Sequence, residues 1–446
     1  MKEKEILYAV NEKLGIAELN EMQKKMLSST SQNRDIILLS PTGSGKTLAF
    51  SIPILKLMKA PTGRIQCVII APSRELVVQI AGVIRQMAKG FRVIAVYGGH
   101  NVEDEVNSLK VTPDILVATP GRLLDHSVRH TLELLPVRIL VLDEFDKTLE
   151  LGFEEDMEKL MKRFKNVSRI ILTSATKAEI LPEFLKLDNP ISLDFSADSD
   201  DLRARMNIRK VSADSNDKLE SLYNLLNNIN ADNDNPEKSI IFLNHRESAE
   251  RTYDFLKKKK VACGLYHGAL SQQDRETSIA LFNSGSRPIL VATDLASRGL
   301  DIEKVQSVIH YHQPLTPEAY THRNGRTARI DEDGDVYILV GPEEELREFV
   351  KVDGEYLLKP ERKADLSETF TTLYISGGKR EKVSRGDILG FLVKECGVDP
   401  GQIGKINVFD HYSLVAVKTE IVSEILKWAS TKKLKGEKRK ISRLIK

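Results

Sequence analysis

The first residues in the chain that could do chemistry form one run, Ser40-Pro41-Thr42-Gly43-Ser44-Gly45-Lys46-Thr47. The run follows the apolar stretch Ile36–Leu39 and precedes an apolar segment of helical length. Its glycines let backbone N–H groups approach phosphate oxygens, its lysine reaches terminal phosphates, and its last hydroxyl can hold Mg²⁺. The strict pattern begins with glycine where this chain has Ser40, but the strand, loop and helix context is the required one. The predicted nucleotide contacts are Thr42, Gly43, Ser44, Gly45, Lys46 and Thr47.

A carboxylate pair follows another apolar run. Asp143 and Glu144 come directly after Ile139–Leu142. A Mg²⁺–nucleotide site needs a carboxylate at the end of a neighbouring strand, and hydrolysis needs a group that orients or deprotonates water. We predict that Asp143 holds Mg²⁺, partly through water, and that Glu144 is catalytic. When such a carboxylate pair occurs alone, it is ordinarily a solvated strand end. Because it occurs here together with the loop at Lys46, we favour a Mg²⁺–nucleotide site.

Three arginines spaced by three occur in the segment His322-Arg323-Asn324-Gly325-Arg326-Thr327-Ala328-Arg329. Arginine commonly neutralises the charge that develops during phosphoryl transfer. We predict that Arg326 and Arg329 do so here. A solvated basic helix face is the alternative for the segment taken alone.

These residues need elements to position them, and 446 residues are long enough for about three domains. Solid apolar runs separated by helical lengths predict parallel strands covered on both faces, hence two α/β domains. The runs are Ile36–Leu39, Cys67–Ala71, Ile115–Ala118, Ile139–Leu142 and Ile170–Thr173, then Ser239–Leu243, Ala262–Tyr266, Ile289–Ala292, Val305–Tyr311 and Val336–Val340. Polar residues at 196–201 separate the two series of runs, and polar residues at 359–363 precede a small C-terminal α+β part. We predict domains over 1–205, 206–360 and 366–446.

Composition excludes several classes. With 41% hydrophobic and 29% charged residues the chain is neither disordered nor fibrous. Three distant cysteines argue against a zinc site or a disulfide framework, and no apolar run approaches a membrane span. We expect a cytoplasmic protein without membrane contact. From Leu366 onward, 16 Lys and Arg face 9 Asp and Glu, so the basic C-terminal part is where a polyanion is expected.

Together these residues resemble the DEAD-box family of RNA helicases over most of residues 6–342. The further motifs that carry the resemblance are Gly15-Ile16 through Gln23, Pro72-Ser73-Arg74-Glu75-Leu76, Gly98-Gly99, Thr119-Pro120-Gly121-Arg122, Asp143-Glu144-Phe145-Asp146, Ser174-Ala175-Thr176, Phe242 with Asn244, His267-Gly268, Gln272 with Arg275, Thr293-Asp294, Ser297-Arg298-Gly299-Leu300-Asp301 and the His322 segment. The resemblance implies two tandem RecA-like P-loop domains, ATP and Mg²⁺ as cofactors, and RNA as partner.

The resemblance also implies residue roles. Gln23 and Asp301 would contact the nucleotide, and Ser174 and Thr176 would couple hydrolysis to RNA by hydrogen bonding to Asp146. An RNA path that contacts phosphates and 2′-hydroxyls without reading bases would use both domains. Its predicted residues are Arg74, Gly99, Arg122, Arg275, Thr293 and Arg298.

Four positions depart from the family pattern. Phe145 is much larger than the usual residue, so packing behind the carboxylates must differ. Ile6 stands where an adenine-stacking aromatic residue is usual, so aliphatic contact or Tyr8 would replace it. Asn324 and Ala328 replace an apolar residue and a glycine but spare both arginines. We expect ATP hydrolysis to survive.

The C-terminal part resembles the RNA-binding domain of the DbpA subgroup, which has an RRM-like fold. In that subgroup the domain recognises a hairpin of large-subunit (23S) ribosomal RNA during ribosome assembly, which is the target the resemblance implies. Ser413–Val417 carries no aromatic residue, so base stacking on the sheet is not expected. Basic loops and the tail are the predicted contacts, at Lys379, Arg380, Lys382, Arg385, Lys435 and Lys438.

Three alternatives stay open. The first is an ATP-gated RNA clamp or chaperone with weak turnover and no specific rRNA target. The second is a DNA helicase or translocase, which Gln23 and the Ser174 motif argue against. The third is a general cold-adaptation helicase whose basic tail binds any RNA. A monomer is the default expectation.

Overall fold

The computed structural model describes residues 1–41, 43–99, 101–175, 181–196, 203–233, 235–297, 302, 305–328, 333–409 and 411–444. The chain forms two compact units, one from Met1–Ala204 and one from Arg205–Ser297 with Ile302–Lys446. Among the described residues, no helix is long and apolar enough to cross a membrane.

The first unit alternates short strands and helices. Its strands are β1 (Ile36–Leu39), β2 (Cys67–Ile70), β3 (Val93–Val96), β4 (Ile115–Ala118), β5 (Ile139–Leu142), β6 (Arg169–Ser174) and β7 (Ile191–Asp194). Its helices are α1 (Glu3–Leu14), α2 (Glu21–Ser29), α3 (Lys46–Leu57), α4 (Arg74–Met87), α5 (Val102–Leu109), α6 (Pro120–Val128), α7 (Phe145–Glu150) and α8 (Glu154–Met161). Within the described residues the strands form one parallel sheet in the order β3-β4-β2-β5-β6-β1-β7. Apolar cores cover both faces of this sheet, as solid apolar strands require.

The strand order sorts the motifs along one edge of this sheet. Parallel strands present their carboxyl ends at the same edge, which is where such folds bind ligands. The loop at 40–47, the carboxylates after Leu142 and the Ser174 motif follow the neighbouring strands β1, β5 and β6. The predicted RNA residues Arg74, Gly99 and Arg122 follow β2, β3 and β4. One half of the edge therefore carries the predicted nucleotide residues and the other half carries the predicted RNA contacts.

The second unit contains a further parallel sheet and the C-terminal domain. Its first strands are β8 (Met206–Ser212), β9 (Ser239–Phe242), β10 (Cys263–Tyr266), β11 (Ile289–Ala292), β12 (Ser307–His310), β13 (Gly334–Val340) and β14 (Gly354–Glu355). Its helices are α9 (Leu219–Asn230), α10 (Arg246–Lys258), α11 (Gln272–Ser284) and α12 (Pro317–Asn324). The described strands pair in parallel in the order β10-β11-β9-β12-β13-β8-β14.

The C-terminal domain is a small antiparallel sheet with helices on one face. It contains β15 (Phe370–Ser376), α13 (Arg385–Gly390) with a π turn at Phe391–Glu395, β16 (Ile403–Val408), β17 (Tyr412–Lys418), α14 (Val422–Thr431) and β18 (Ile441–Arg443). The described strands lie in the order β16-β17-β15-β18 and enclose an apolar core with the helices. This βαββαβ succession is that of the split βαβ arrangement.

The C-terminal domain is joined to the preceding α/β fold by buried hydroxyls. The Thr372 hydroxyl lies 2.7 Å from that of Ser284 and 2.6 Å from that of Ser286. Thr372 and Ser286 are fully buried. On the connecting segment, the Leu366 carbonyl accepts from the Ala262 N–H at 2.7 Å, and Leu366 packs into the core of the α/β fold. The outer face of the small sheet is thus covered around Thr372.

The predicted fold class is confirmed, with two parallel-sheet domains of RecA-like type followed by a small α+β domain. Each of the ten predicted apolar runs contains a strand or lies within one. The strands β3, β7, β8, β14 and β18 were not predicted. The three free cysteines are buried.

Candidate functional site

The predicted nucleotide-binding loop is hydrogen-bonded to the first turn of α2. Asn20 and Gln23 cap this helix reciprocally, which fixes both side chains. The Asn20 Nδ2 then donates to the Ser44 carbonyl at 3.0 Å, and the Gln23 Nε2 to the Gly45 carbonyl at 3.4 Å. Gly45 has φ +91°, and a Cβ there would lie 2.6 Å from the Gln23 Nε2. Gln23 therefore lies directly on the loop, and position 45 requires glycine.

Lys46 closes the loop on itself. Its ammonium donates to the Ser40 carbonyl at 2.7 Å and to the Pro41 carbonyl at 2.9 Å. The Ser40 hydroxyl donates to the Ser44 hydroxyl at 2.6 Å, so serine at the first position of the motif adds a contact inside the loop. Lys46 is 8% exposed, and the loop holds its charge beside carbonyl groups that a phosphate could replace.

Asp143 is the most perturbed acid in the site. It is 2% exposed, and its Oδ1 accepts from the Thr173 hydroxyl at 2.5 Å. Burial, together with repulsion from Glu144 and Asp146, raises the pKa of Asp143 to about 6, against the effects of Thr173 and Lys46. A buried carboxylate in this state gains from a nearby cation. Thr173 was not predicted, because it lies 30 positions from Asp143 inside an apolar run.

Glu144 is held in a strained turn between β5 and α7. It has φ +47°, and its N–H donates to the Thr173 hydroxyl at 3.1 Å. A non-glycine residue in this region is unusual and turns the side chain away from the strand direction. The adjoining Phe145 is 2% exposed and packs in the core with Met157 and Leu160. The large ring therefore fills the core behind the site and leaves the carboxylates in place.

Asp146 connects the carboxylate turn to the end of β6. Its Oδ2 accepts from the Ala175 N–H at 3.2 Å. Ala175 lies between Ser174 and Thr176, which are the predicted coupling partners. Of the two residues predicted to replace the adenine-stacking aromatic, Ile6 is fully buried in the core, whereas Tyr8 is 67% exposed.

Two predicted RNA residues meet at the other half of the edge. The Arg74 guanidinium lies over Gly99, where a Cβ would come within 2.1 Å of its Nη1. Gly99 has φ +104°, which L side chains rarely adopt. Sequence reasoning placed both residues on the RNA path but not in contact. The absence of a side chain at Gly99 therefore leaves the space that the Arg74 guanidinium occupies.

Arg122 is held by a buried acid that the sequence analysis did not single out. The Glu105 carboxylate, 4% exposed, lies 2.7 Å from the Arg122 Nε and 2.7 Å from the Nε2 of fully buried His126. Its other oxygen accepts from the Tyr97 N–H at 2.9 Å. Helices α5 and α6 are therefore joined through Glu105, and the Arg122 guanidinium is oriented.

In the second unit, the Arg323 side chain is held by hydrogen bonds inside the domain. It is fully buried, with its Nε 2.5 Å from one Asp294 oxygen and its Nη2 2.7 Å from the Asn244 Oδ1. It also donates to the His312 carbonyl at 2.8 Å and lies over the Phe242 ring. This arginine joins the ends of three strands, which leaves Arg326 and Arg329 as the predicted catalytic pair.

The other described residues of the second unit that were predicted to act in catalysis or RNA binding are Arg326, Arg275 and Thr293. The Arg326 Nε donates to the Ser297 carbonyl at 2.7 Å. Arg275 is 8% exposed, and its Nη2 donates to the Gln272 Oε1 at 2.7 Å, which joins the two polar residues of that motif. Thr293 directly follows β11, and its N–H donates to the Tyr266 carbonyl at 3.2 Å.

The two departures near Arg326 are accommodated differently. Asn324 accepts from the His310 Nε2 at 2.8 Å, so its amide satisfies a buried ring. Burial, with the charge of Arg323, lowers the pKa of His310 to about 3, so the ring is neutral and donates through Nε2. Ala328, where a glycine is usual, has φ +48°, a conformation that costs an L residue about 1–2 kcal/mol.

The predicted basic residues of the C-terminal domain lie on one loop and one turn. Lys379, Arg380 and Lys382 are exposed on the loop between β15 and α13, and Arg385 is exposed at the first residue of α13. Lys435, on the turn before β18, donates to the Lys382 carbonyl and lies 3.0 Å from the Asp387 carboxylate. Hydrogen bonds from Ser384 and Lys435 lower the pKa of Asp387 to about 2. Lys438 is exposed on the same turn. The tail is folded against the sheet, since β18 pairs with β15.

Aromatic rings form a column beside this basic surface. Tyr374 stacks on Tyr412 at 5.6 Å between centroids, and Tyr412 stacks on Phe409 at 4.6 Å. Phe409 is 38% exposed. Sequence reasoning missed the column, because its members lie on a strand, at a strand start and in a turn, and only the β15–β17 register brings them together.

Five predicted site residues lie outside the described residues. They are Thr42, Thr176, Arg298, Asp301 and Arg329.

The chain is similar to known helicases along nearly its whole length. Residues 20–183 match the DEAD/DEAH box helicase family, 217–331 the helicase conserved C-terminal domain and 372–443 the DbpA RNA binding domain. The ATP-dependent RNA helicase DbpA of Escherichia coli K12 is 32% identical over 435 residues, covering 95% of this chain and 94% of that one. DbpA of Bacillus subtilis 168 is 31% identical, covering 97% and 96%.

Solved structures resemble the chain over its helicase part. Dbp5 of S. cerevisiae bound to RNA and ADP BeF3 is 26% identical with a TM-score of 0.66, covering 76% of this chain and 88% of that one. Mss116p bound to ssRNA and AMP-PNP is 26% identical with a TM-score of 0.70, covering 80% and 78%. With identity above 30% along nearly the full length of two relatives and both helicase segments matched, the chain belongs to the DEAD-box family of ATP-dependent RNA helicases.

Proposed function

We propose that this helicase unwinds structured large-subunit (23S) ribosomal RNA locally during ribosome assembly. The observation that carries the proposal is the match of residues 372–443 to the DbpA RNA binding domain, with relatives named DbpA aligned across both helicase and C-terminal parts. The exposed basic loop at 379–385 and the turn at Lys435 support phosphate contacts by this domain. The covered sheet face at Thr372 supports recognition by loops, not by the open sheet.

In the proposed ATP site, the loop at 43–47 holds the phosphates and Gln23 contacts the base. Glu144 accepts a proton as water attacks the γ-phosphorus; the bond from that phosphorus to the β,γ-bridging oxygen breaks, and ADP and phosphate leave. Arg326 and Arg329 of the second helicase domain, with Lys46, stabilise the charge that develops. Because these groups belong to different domains, we expect closure of the domains and nucleotide binding to be coupled.

Mg²⁺ is proposed as the cofactor of this site. The donor set fits, because Asp143 is a buried carboxylate whose pKa is raised and Thr47 offers a hydroxyl at the start of α3. Within the described residues no group of three or more His, Cys, Asp or Glu side chains gathers, so the phosphates would supply the remaining ligands. The ion would neutralise phosphate charge when bound with ATP.

The RNA path is proposed to cross both helicase domains. Arg74 with Gly99, and Arg122 held by Glu105, would donate to phosphates on the first domain. Arg275, Thr293 and Arg298 would do so on the second. Such contacts bind RNA without reading bases, so target choice rests on the C-terminal domain.

Steady-state ATP hydrolysis tests the proposal. We would compare no RNA, an unstructured RNA and an rRNA fragment containing the peptidyl-transferase-centre hairpin. Preferential stimulation by the rRNA fragment, lost when Lys379, Arg380 and Lys382 are changed to alanine, is the expected result. Equal stimulation by all RNAs would contradict the rRNA target and favour a nonspecific tether.

Lys46→Ala tests the catalytic assignment. We expect hydrolysis to fall at least about 100-fold, because a phosphate contact is lost. The exposed, matched change Lys89→Ala should leave it intact. Unchanged turnover in Lys46→Ala would refute the site. An ATP-gated clamp, the alternative function, predicts RNA binding without measurable hydrolysis in the parent chain, whereas hydrolysis abolished by Glu144→Gln excludes it.

A further inference from the structure

A pocket lies at the opposite edge of the first sheet from the nucleotide loop. The strands β2, β5 and β6 begin there, at Cys67, Ile139 and Arg169. The cavity has a volume of about 810 Å³, and the end of α3 with the loop that follows closes its other side. A four-residue strand spans about 13 Å, so the pocket is separate from the phosphate chemistry at the carboxyl ends.

The charge of this pocket has one sign. Lys59, Arg64, Arg138 and Arg169 line it, and the other described lining residues are apolar, amide or hydroxyl side chains without Asp or Glu. Lys59, Arg64 and Arg138 are exposed at the rim and can turn towards a ligand. Four cations around one concave surface attract anions strongly.

Arg169 gives the pocket a fixed deep contact. It is 4% exposed, and its Nη2 donates to the Asn33 Oδ1 at 3.3 Å. Its Nε and Nη1 have no hydrogen-bond partner among the described residues. The carboxylate that acts on it, Asp35, is occupied by the N–H groups of Ile170 and Asp188, both at 2.7 Å. Buried donors left in this way are uncommon and indicate a missing acceptor.

We propose that this pocket binds a small anion through a terminal phosphate or oligophosphate group. A guanidinium donates several N–H groups to phosphate oxygens, and Arg169, which lines the cavity, has its Nε and Nη1 without a partner among the described residues. The three rim cations suit a ligand of several negative charges. An internal phosphate of a polymer is flanked by sugars on both sides, so only an end group reaches Arg169.

The test is calorimetric titration of inorganic tripolyphosphate into the full-length chain carrying Lys46→Ala, which disables the nucleotide loop. In this background we would compare Lys59→Ala/Arg64→Ala with the control Lys89→Ala/Lys110→Ala, which removes two exposed charges of the same unit outside the pocket. We expect saturable binding that the first pair weakens about tenfold and the control leaves within about twofold. Arg169→Lys, checked for folding by circular dichroism, should also weaken binding, because the Nε and Nη1 donors are lost.

Two results would overturn the proposal. One is the absence of saturable binding, and the other is equal weakening by both alanine pairs, which would indicate diffuse electrostatics. Competition distinguishes the source of the phosphate. Displacement by a 5′-phosphorylated oligoribonucleotide but not by its 5′-hydroxyl twin supports the site with an RNA end as ligand. Displacement by neither supports it with a free small anion, and equal displacement by both would also overturn the proposal, because an internal phosphate would then enter the pocket.

Discussion

At the residue scale, one hydroxyl organises the carboxylate turn. The Thr173 hydroxyl donates to the Asp143 carboxylate and accepts from the Glu144 N–H. It therefore holds both the predicted Mg²⁺ ligand and the predicted catalytic residue in place. The motifs around it were visible in the sequence because each lies at a strand end. Thr173 was not, because only the pairing of β5 with β6 brings it beside Asp143.

Removing this hydroxyl should slow hydrolysis without unfolding the site. We expect Thr173→Val, which keeps the side-chain shape, to lower kcat about 10- to 100-fold, since partners that orient reacting groups contribute about that much. Thr173→Ser, which keeps the hydroxyl, should retain most of the rate. Steady-state hydrolysis at saturating RNA measures both, and equal rates in the two variants would contradict the role.

His310 should make the free energy of unfolding depend on pH. Its pKa is lowered to about 3 in the folded chain, against 6.5 ordinarily, because it is buried beside Arg323. Between these values the unfolded chain binds the extra proton, so stability falls as pH drops from about 6.5 towards 3. His310→Asn, which can still pair with Asn324, should flatten this dependence in urea unfolding across that range. An unchanged slope would show that other groups carry it.

At the element scale, the order of strands places the predicted nucleotide residues and the predicted RNA residues on different halves of the first sheet edge. The solid apolar runs made most strands predictable, since such runs are buried on both faces. The missed strands have other patterns: β7 alternates exposed and half-buried residues, and β8 mixes buried with polar positions. Neither sequence pattern can be distinguished from that of an exposed loop until the neighbouring strand in the sheet is known. The contact of Arg74 with Gly99 depended in the same way on β2 and β3 lying on either side of β4.

Gly99 should therefore be intolerant of a side chain. In Gly99→Ala the new Cβ would displace the Arg74 guanidinium, and we expect the RNA concentration for half-maximal stimulation to rise about tenfold. Gly90→Ala is the matched control, because Gly90 has φ +86° in the same unit with nothing within 4 Å of an added Cβ. If both variants behave alike, backbone strain and not the displaced arginine is responsible.

At the scale of the whole molecule, the C-terminal domain and the second helicase fold are one packed body. Three hydroxyls, from Ser284, Ser286 and Thr372, satisfy one another where the small sheet meets the α/β fold. The sequence predicted a separate domain after residue 360, because the connecting residues are polar. It could not predict the docking, because isolated serines and threonines carry no pattern.

A charge placed in this contact should release the domain. Ser286→Glu buries a carboxylate against Thr372, and we expect faster proteolysis of residues 367–371 with unstimulated ATP hydrolysis unchanged. Ser286→Ala, which removes the hydroxyl without adding charge, is the control. Cleavage at the same rate in both variants would mean that the hydroxyl cluster does not hold the domain.

The antiparallel pairing of β18 with β15 has a consequence for how the domain is made. Leu373 pairs with Arg443, so the sheet is completed by a contact between residues about seventy positions apart, with both helices and two strands between them. Loops of that length close slowly, and contacts of high sequence separation form late in folding. The Lys435 turn takes up its place beside the basic loop only when this last strand is in register. During synthesis, the helicase folds can therefore be complete and able to hydrolyse ATP while the surface proposed to choose the RNA is still unformed.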